Sequence, residues 1–391
     1  MLLINPQKNR RDQLGGFADY VPLNVPFGVG FLAGYLLMNG RDVIVIDEEV
    51  APVTTEALSV YLKKTAAPHI FGISCLTANV NRGIELAREI KERYPAAVVI
   101  MGGIHPTVLP DDVLKSSVVD IVVRNEGEAT LLALYDALKA GGDWRAIHGI
   151  SFLDGEKPVH NKPAPLIDMA TLPLFPYRLF EGHRRRYSFG FLTTSRGCPF
   201  DCIFCSQRAI SGRSYRFMTT EKTIETIDMM VNKYGERYIV FSDDNFVVNK
   251  KRMMDICNAV VDNGLNKKAA FMCQCRGDAI TDEVLDHLKR ANFNGISFGI
   301  ESGSDRVLDV IKKAETVEDN RRGILLAKKR GFKVAGTYIL GLPTETRQER
   351  LASYKMAREL DLDYVRFNNA TPYPGTELYD IALREGGLNA G

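Results

Sequence analysis

The chain has 391 residues, 45% of them hydrophobic and 25% charged, with a net charge of +2. That length leaves room for two or three domains with ample cores, and the near-neutral balance gives no electrostatic case for nucleic acid as a bulk partner. The opening Met1-Leu2-Leu3-Ile4-Asn5-Pro6 has neither a basic region nor a long apolar run, so no signal peptide is expected there. The most apolar stretch, Phe27 to Met38, has about half the length needed to cross a bilayer. No membrane span is therefore expected, and the protein is expected in the cytoplasm. Seven cysteines in that compartment favour metal or redox chemistry over disulfides.

Residues 1–150 alternate short apolar runs with amphipathic segments. Strands are predicted at Met1–Asn5, Val43–Asp47, Ile70–Ser74, Val98–Met101 and Ile121–Val123. Helices are predicted at Phe27–Asn39, stopped by Gly40; over Val80, Ile84, Ala87, Ile90 and Tyr94, stopped by Pro95; and at Leu131–Leu138, closed by Gly141 and Gly142. Strands that are unbroken apolar runs, alternating with helices, imply a parallel sheet covered on both faces. Ligands of such sheets sit beyond the carboxyl ends of the strands. Those ends read Ser74-Cys75-Leu76-Thr77, Gly102-Gly103-Ile104-His105-Pro106-Thr107 and Arg124-Asn125-Glu126-Gly127-Glu128. The paired glycines allow backbone to approach a ligand closely; tight strand-to-helix turns would use the same residues.

Periodicity fades over 151–188. Prolines at 158, 163, 165, 173 and 176 mark a linker laid over a surface. The run His183-Arg184-Arg185-Arg186 is either a solvated face or a contact for an anionic substrate or cofactor phosphate.

From 189 onward six strands are predicted: Phe189–Thr194, Tyr238–Ser242, Ala270–Cys275, Gly295–Ile300, Val334–Leu340 and Tyr364–Asn368. Their ends carry Asp243-Asp244-Asn245, Glu301-Ser302-Gly303, Gly341-Leu342-Pro343-Thr344-Glu345 and Thr371-Pro372-Tyr373-Pro374-Gly375-Thr376. Thr316 with Asp319 reads as a helix start, and Thr346-x-x-Glu349 as a capping box. Six strand–helix units with polar residues at the strand ends imply a full or partial barrel with its active site at that face. Cys273 and Cys275 share one face of their strand. They are candidate catalytic residues facing a substrate, or thiols buried as small hydrophobes.

The chain is organised around Cys198-Pro199-Phe200-Asp201-Cys202-Ile203-Phe204-Cys205. This spacing lets three thiolates converge from one loop on one metal centre. A closed cubane cluster takes four thiolates, so three cysteines fit a [4Fe–4S] cluster with one iron open. Zinc would need a distant fourth ligand, with Cys257, Cys273, Cys275 and His183 as candidates. The cysteines outside the loop, Cys75, Cys257, Cys273 and Cys275, form no compact motif for a second cluster.

Cys198-x3-Cys202-x2-Cys205 after a short strand, with Phe204 before the last cysteine, resembles the signature of the radical S-adenosylmethionine (SAM) enzymes. The resemblance implies that the three cysteines hold the cluster and that SAM chelates the open iron. Glu301, in Gly-Ile-Glu-Ser-Gly, resembles the family position that touches SAM through its ribose or amino acid part. Ser242, Asp243 and Asp244 fall where the second strand delivers residues toward the methionyl amine. Arg276 resembles the partner of the SAM carboxylate, and Gly341-Leu342-Pro343 and Phe204 would complete the SAM site. Turn formation and helix capping equally explain Asp243 and Asp244, and a salt bridge equally explains Arg276.

Residues 1–150 resemble the cobalamin-binding domain found ahead of many radical SAM cores, through Gly102-Gly103-x-His105-Pro106-Thr107 followed by Glu126-Gly127-Glu128. The resemblance implies a corrinoid against this sheet edge, touched by Ser74, Leu76, Thr77, Gly102, Gly103, His105, Glu126 and Gly127. Many corrinoid domains carry Asp-x-His-x-x-Gly after the first strand. Here that position reads Asn5-Pro6-Gln7-Lys8-Asn9-Arg10, and neither His69 nor His105 replaces the histidine, so cobalt would lack a protein imidazole.

Together these resemblances imply reductive cleavage of SAM to methionine and a 5′-deoxyadenosyl radical, which takes a hydrogen atom from an unreactive C–H bond. The substrate radical would capture the methyl group of methylcobalamin, and a second SAM would remethylate the corrinoid. The expected function is a cobalamin-dependent radical SAM C-methyltransferase acting on a small molecule, with a reductant such as flavodoxin or ferredoxin. The alternatives are a radical cyclase, rearrangement or bond-forming enzyme with the corrinoid absent or in another role, and a non-catalytic Fe–S or corrinoid carrier. The expected architecture is α/β: a doubly wound, Rossmann-like domain of cobalamin-binding type at 1–150, a Pro-rich linker at 151–188, and a radical SAM partial (β/α)6 TIM barrel at 189–391.

Overall fold

A computed structural model describes residues 1–8, 15, 21 and 23–387. Asn9 and Arg10, in the segment compared with Asp-x-His-x-x-Gly, lie outside the described residues. The chain divides into two compact units, residues 1–188 with 209–211, and residues 189–208 with 212–391.

The first unit is built on a seven-stranded sheet. Its strands are β1 (Leu2–Asn5), β3 (Ile44–Asp47), β4 (Ile70–Ser74), β5 (Val98–Gly102), β6 (Ile121–Val123), β7 (Ile150–Asp154) and β8 (Lys157–His160), in the order β3-β1-β4-β5-β6-β7-β8. The first five pair in parallel. Their apolar residues serve two cores at once. Leu2, Ile4, Phe71, Ile73, Val99 and Met101 pack on one face with helix Val80–Arg93. Met1, Leu3, Ile70, Ile100 and Ile121 pack on the other with helices Phe27–Met38 and Glu128–Ala140. A strand buried on both faces must be apolar throughout, which is why these runs show no alternation. The chain moves outward from β1 to β3 and then returns to β4 on the other side of β1, so a crevice opens between the carboxyl ends of β1 and β4.

The segment 151–188, expected as a linker, lies inside this unit. The hairpin β7–β8 extends the sheet in antiparallel fashion. Downstream of it, Phe175 packs edge-on against Phe27 and Phe31 of helix Phe27–Met38. A Cβ on Gly30 would stand 2.2 Å from the Phe175 ring, so the helix needs glycine there. Burying that ring contributes roughly 1.5–3 kcal/mol, and Gly30→Ala would expel it. Two of the segment's five prolines, Pro173 and Pro176, pack against Gly34 of the same helix. A short ladder of β2 (Leu23–Asn24) with β9 (Tyr187–Ser188) ends the unit, and Tyr187 donates a 2.7 Å bond to the Asp47 carboxylate.

The second unit holds six parallel strands in chain order: β10 (Phe191–Leu192), β13 (Tyr238–Phe241), β14 (Ala270–Cys275), β15 (Phe293–Glu301), β16 (Lys333–Leu340) and β17 (Tyr364–Asn369). Parallel pairing of sequential neighbours makes every connection a crossover, which the twist of strands favours as right-handed, and this is the winding of a barrel with its strands running short of closure. Helix starts are capped as the sequence predicts: Thr316 with Asp319 and Thr346 with Glu349 both form reciprocal capping boxes. A short antiparallel ladder, β11 (Ser195–Arg196) with β12 (Arg216–Phe217), flanks the cysteine loop.

Candidate functional site

The cysteine loop is fixed from both ends. Asp243, 1% exposed just beyond β13, accepts bonds from Thr194 N–H (2.6 Å), the Thr194 hydroxyl (2.5 Å) and Ser195 N–H (3.0 Å). It therefore clamps the strand that feeds Cys198. Further on, Ile203 N–H donates to the Ile311 carbonyl at 3.1 Å, and Leu378 N–H donates to the Ile203 carbonyl at 3.0 Å. Cys198, Cys202 and Cys205 are half-buried free thiols. Burial pushes all three thiols up, Cys202 to about 11, while the Lys313 ammonium opposes the shift at Cys198 and Cys202. Three half-buried thiols on one stapled loop, with a cation at hand, fit a group that takes them as thiolates.

Among the described residues, no three His, Cys, Asp or Glu side chains gather at the reach of a single metal ion. Thiolates that each bind a different iron of a cluster stand farther apart than donors to one ion. The expected zinc donors Cys257, Cys273 and Cys275 lie buried in the sheet-and-helix interior, where burial, against the pull of Arg290, pushes Cys257 up to about 12. His183 closes a helical turn, Tyr177–His183, of the first unit.

Behind the loop lies a buried charge cluster. Glu301, at the end of β15, is 7% exposed and accepts from Lys313 Nζ at 3.2 Å. Glu315 Oε2 is buried without a hydrogen-bond partner, 3.9 Å from both Lys313 and Arg276. Burial pushes the Glu315 carboxyl up, against the pull of Lys313 and Arg276. An orphaned buried oxygen beside two cations is a place for a polar ligand. The backbone is strained to make it: Glu301, Lys312 and Ala314 have φ of 64°, 55° and 52°, each costing about 1–3 kcal/mol for a non-glycine residue. The left-handed residues on either side of Lys313 turn it inward. A Cβ on Gly299 would stand 2.7 Å from Glu301 Oε1 and 3.1 Å from Lys313 Nζ, so glycine leaves room for the pair. Lys313, Glu315 and Gly299 escape the sequence reading. Lys312-Lys313-Ala314-Glu315 looks like a solvated surface run, and only the i, i+2 pairing of Gly299 with Glu301 on one strand face was available as a signal.

The remaining expected SAM contacts divide by what already holds them. Arg276 bonds to Asp278, to the Lys313 carbonyl and to the Ala314 carbonyl (both 2.6 Å), and stacks on Phe200 of the loop at 3.7 Å. With most of its N–H groups engaged, Arg276 here braces the Lys313 turn against the loop. Asp244 accepts from Gln207 at 3.0 Å, and burial pushes its carboxyl up. Ser242 is exposed. Gly341 has φ 80° with open space around its Cβ position, and its N–H donates to Glu345 at 2.6 Å. Pro343 and Phe204 are half-buried, Phe204 against the cluster of Ile203, Ile339 and Leu378.

Cys273 and Cys275, the expected catalytic candidates, are 1% and 2% exposed. They face the helical layer, where burial pushes the Cys273 thiol up and Cys275 and then Cys257 of helix Lys250–Asp262 add to the shift. Alternation then turns exposed Gln274 to the opposite face. The two thiols are core residues.

In the first unit the expected corrinoid contacts meet at the carboxyl ends of β4, β5 and β6. Gly103 has φ 104°, and a Cβ there would stand 2.4 Å from the Cys75 carbonyl, so the fold itself requires this glycine. Gly102 lies against β6, with 3.3 Å from a built Cβ to the Val123 carbonyl, and Gly127 starts helix Glu128–Ala140. His105 is buried 3.4 Å from the Thr77 hydroxyl, and burial holds its imidazole toward the neutral form. Glu126 is buried and accepts from Ile167 N–H at 2.9 Å, which binds segment 151–188 to the sheet edge. Ser74 and Thr77 are half-buried, and Leu76 is 37% exposed. The accessible surface is thus neutral and small-featured with one apolar side chain, which fits a broad, weakly charged ring held by shape.

Residues 192–357 match the radical SAM superfamily and residues 18–135 match the B12 binding domain. An uncharacterized methyltransferase of Pyrococcus horikoshii is 34% identical over 363 residues, which cover 92% of this chain and 78% of that protein. An anaerobic magnesium-protoporphyrin IX monomethyl ester cyclase of Rubrivivax gelatinosus is 28% identical over 368 residues, 90% of this chain; the chain spans 65% of that relative's length. The solved structure of the radical SAM methyltransferase TsrM from Kitasatospora setae, with cobalamin and a [4Fe-4S] cluster bound, matches with a TM-score of 0.85 at 19% identity, over 100% of this chain and 79% of that one. At that identity the likeness is one of fold.

The two matched domains imply the cofactors: a [4Fe–4S] cluster and SAM for one, cobalamin for the other. The protein is an enzyme rather than a non-catalytic carrier. Among the described residues, no helix is long and apolar enough to cross a membrane. With both domains present in this order, the chain belongs to the cobalamin-dependent radical SAM methyltransferase family.

Proposed function

We propose that this chain transfers a methyl group to an unactivated carbon of a small molecule. Cys198, Cys202 and Cys205 would hold three irons of the cluster and leave the fourth for SAM. When bound, cluster and SAM supply a 5′-deoxyadenosyl radical, and cobalamin supplies the methyl group. The chain's own residues bind, orient and exclude water. Glu301 and Lys313 face the SAM position as a buried pair, with Glu315 behind them. Ser242 and Asp244 serve the methionyl amine, and Phe204, Gly341 and Pro343 the adenosine. Asp243 and Arg276 act one step back, by fixing the loop and the Lys313 turn. Ser74, Leu76, Thr77, Gly102, Gly103, His105, Glu126 and Gly127 form the corrinoid platform, with no histidine from the β1 end for the cobalt. A small electron carrier such as flavodoxin or ferredoxin would reduce the cluster, and the protein would work in the cytoplasm.

The observation that carries this proposal is the stapled loop of three free thiols backed by the buried Glu301–Lys313 pair. Radical cyclisation is the second reading, favoured by the likeness to the magnesium-protoporphyrin cyclase over nine-tenths of the chain. Anaerobic reconstitution with iron, sulfide and cobalamin separates them. About four iron per chain with stoichiometric corrinoid, and label passing from methyl-labelled SAM to a product, is the expected result. A full cluster that retains no corrinoid would favour cyclisation, and zinc in place of iron would overturn the central assignment.

A further inference from the structure

One face of the second sheet carries polar side chains that no protein group satisfies among the described residues. Residues two apart on a strand share a face, and paired positions on neighbouring strands stand side by side. Phe367 of β17 stacks on Tyr338 and on Tyr354 of helix Arg347–Glu359, so it points to the helices. Its neighbours Arg366 and Asn368 therefore point the other way. Register carries that face across the sheet: Arg366 stands beside Thr337 and Thr337 beside Gly299, while Asn368 stands beside Ile339. Ile339 packs in one apolar cluster with Ile203 and Phe204 of the cysteine loop. Arg366 thus lies on the face that the cysteine loop covers, about 7 Å further along the strands.

Among the described residues, the side chains of Gln274, Ser297, Thr337, Arg366 and Asn368 make no hydrogen bond or ion pair with protein. Ser297, Thr337 and Asn368 are half-buried, so their missing partners are not simply replaced by bulk water on all sides. Tyr364, two residues before Arg366 on the same face, is 63% exposed.

We propose that Arg366 binds an anionic group of the substrate, a carboxylate or a phosphate, with Thr337 and Asn368 adding hydrogen bonds and Tyr364 covering the attached carbon skeleton. This deepens the methyl-transfer reading and rests on it, since it takes the molecule on this face to be the substrate. A guanidinium offers a planar fork of N–H groups that meets two oxygens at once. Anchored there, the rest of the molecule runs toward the cysteine loop. A charged residue on an edge strand also discourages strand addition. A side chain on either face serves that purpose, however, and it leaves the unpartnered Thr337 and Asn368 beside Arg366, and Ser297 two strands away on the same face, without a reason.

The test uses the full chain, reconstituted anaerobically with its cluster. Phenylglyoxal modifies accessible guanidinium groups, and peptide mass spectrometry reads the rate at Arg366 alone. The probes are inorganic phosphate and acetate, with chloride at matched ionic strength as control. Phosphate or acetate should slow modification of Arg366 about tenfold at saturation, while exposed Arg347 and Arg358 react as before. Protection by phosphate names a phosphorylated substrate, and protection by acetate a carboxylate. By calorimetry, Arg366→Gln should bind the protecting anion about tenfold more weakly, with Arg366→Lys between, because lysine keeps the charge and loses the fork. Equal rates in all three salts, or no modification of Arg366 at all, would overturn the proposal. Release of 5′-deoxyadenosine by the unaltered chain is measured separately, so failure of the radical reading and failure of the anion site are told apart.

Discussion

On the proposed assignments, the two units would hold their cofactors in opposite ways. The proposed platform of the first unit is made of glycines, hydroxyls, a histidine that burial holds toward its neutral form, one exposed leucine and a buried Glu126 turned to the Ile167 N–H, and its geometry is set by backbone standing against backbone, as Gly103 does against Cys75. The site of the second unit is made of ions: Glu301, Lys313, Glu315 and Arg276 lie together in the interior, held by strained backbone. A large ring of low charge is best gripped by shape, whereas a small zwitterion beside an anionic cluster needs placed charges. The first site should therefore break when volume is added and the second when charge is removed.

Removing the thiols is the sharpest break. Replacement of Cys198, Cys202 and Cys205 by alanine should abolish iron and sulfide uptake in the second unit and leave corrinoid retention by the first intact. Full iron content in the triple variant would sink the cluster assignment. Next in size is Lys313→Met. It strands Glu301 without its cation, leaves Glu315 with Arg276 alone, and should cost about 3–5 kcal/mol, the range for breaking a buried pair by removing one partner. Urea denaturation of the metal-free chain measures it. Lys313→Met combined with Glu301→Gln should recover part of the loss; no recovery would mean that Lys313 acts through packing alone. Gly103→Ala comes third, at about 1–3 kcal/mol for a side chain forced into left-handed backbone, with the Cys75 carbonyl in its way. It should lower corrinoid retention while iron content holds. Normal corrinoid retention in Gly103→Ala would detach the glycine pair from the platform.

Much of the scaffold is legible in the sequence because it rests on local rules. Ile70–Ser74, Ile121–Val123 and Ala270–Cys275 occupy the predicted spans, and the other predicted strands shift by a few residues at most, since unbroken apolar runs between turns leave few choices. The cysteine loop is equally legible from spacing. What the sequence hides depends on long-range contact. Pro173, Phe175 and Pro176 read as linker residues because nothing local announces that Gly30 and Gly34, far back in the chain, leave a groove for them. Lys313 reads as surface because the left-handed turns at Lys312 and Ala314 that bury it are imposed by tertiary structure. Cys273 and Cys275 have the right period but no sign in the strand itself of which face the helices cover, and Gln274 between them is the side chain left accessible.

The smallest expected effect distinguishes charge from shape most finely. Burial pushes the Glu315 carboxyl above its ordinary value even with Lys313 and Arg276 beside it. A carboxyl whose pKa is raised by folding binds more protons in the folded chain than in the unfolded one, between the two pKa values. Its contribution to stability is therefore full below the unfolded pKa and lost as pH rises through the folded pKa. Glu315→Gln keeps the size and removes the titration, so the variant should lose less stability than the parent when the pH is taken from the carboxylate range toward neutrality. Denaturation of both metal-free chains across that window checks the sign. A parent that instead gains stability relative to Glu315→Gln as pH rises would show that the two cations outweigh burial, and that Glu315 is held as an ion waiting for no further partner.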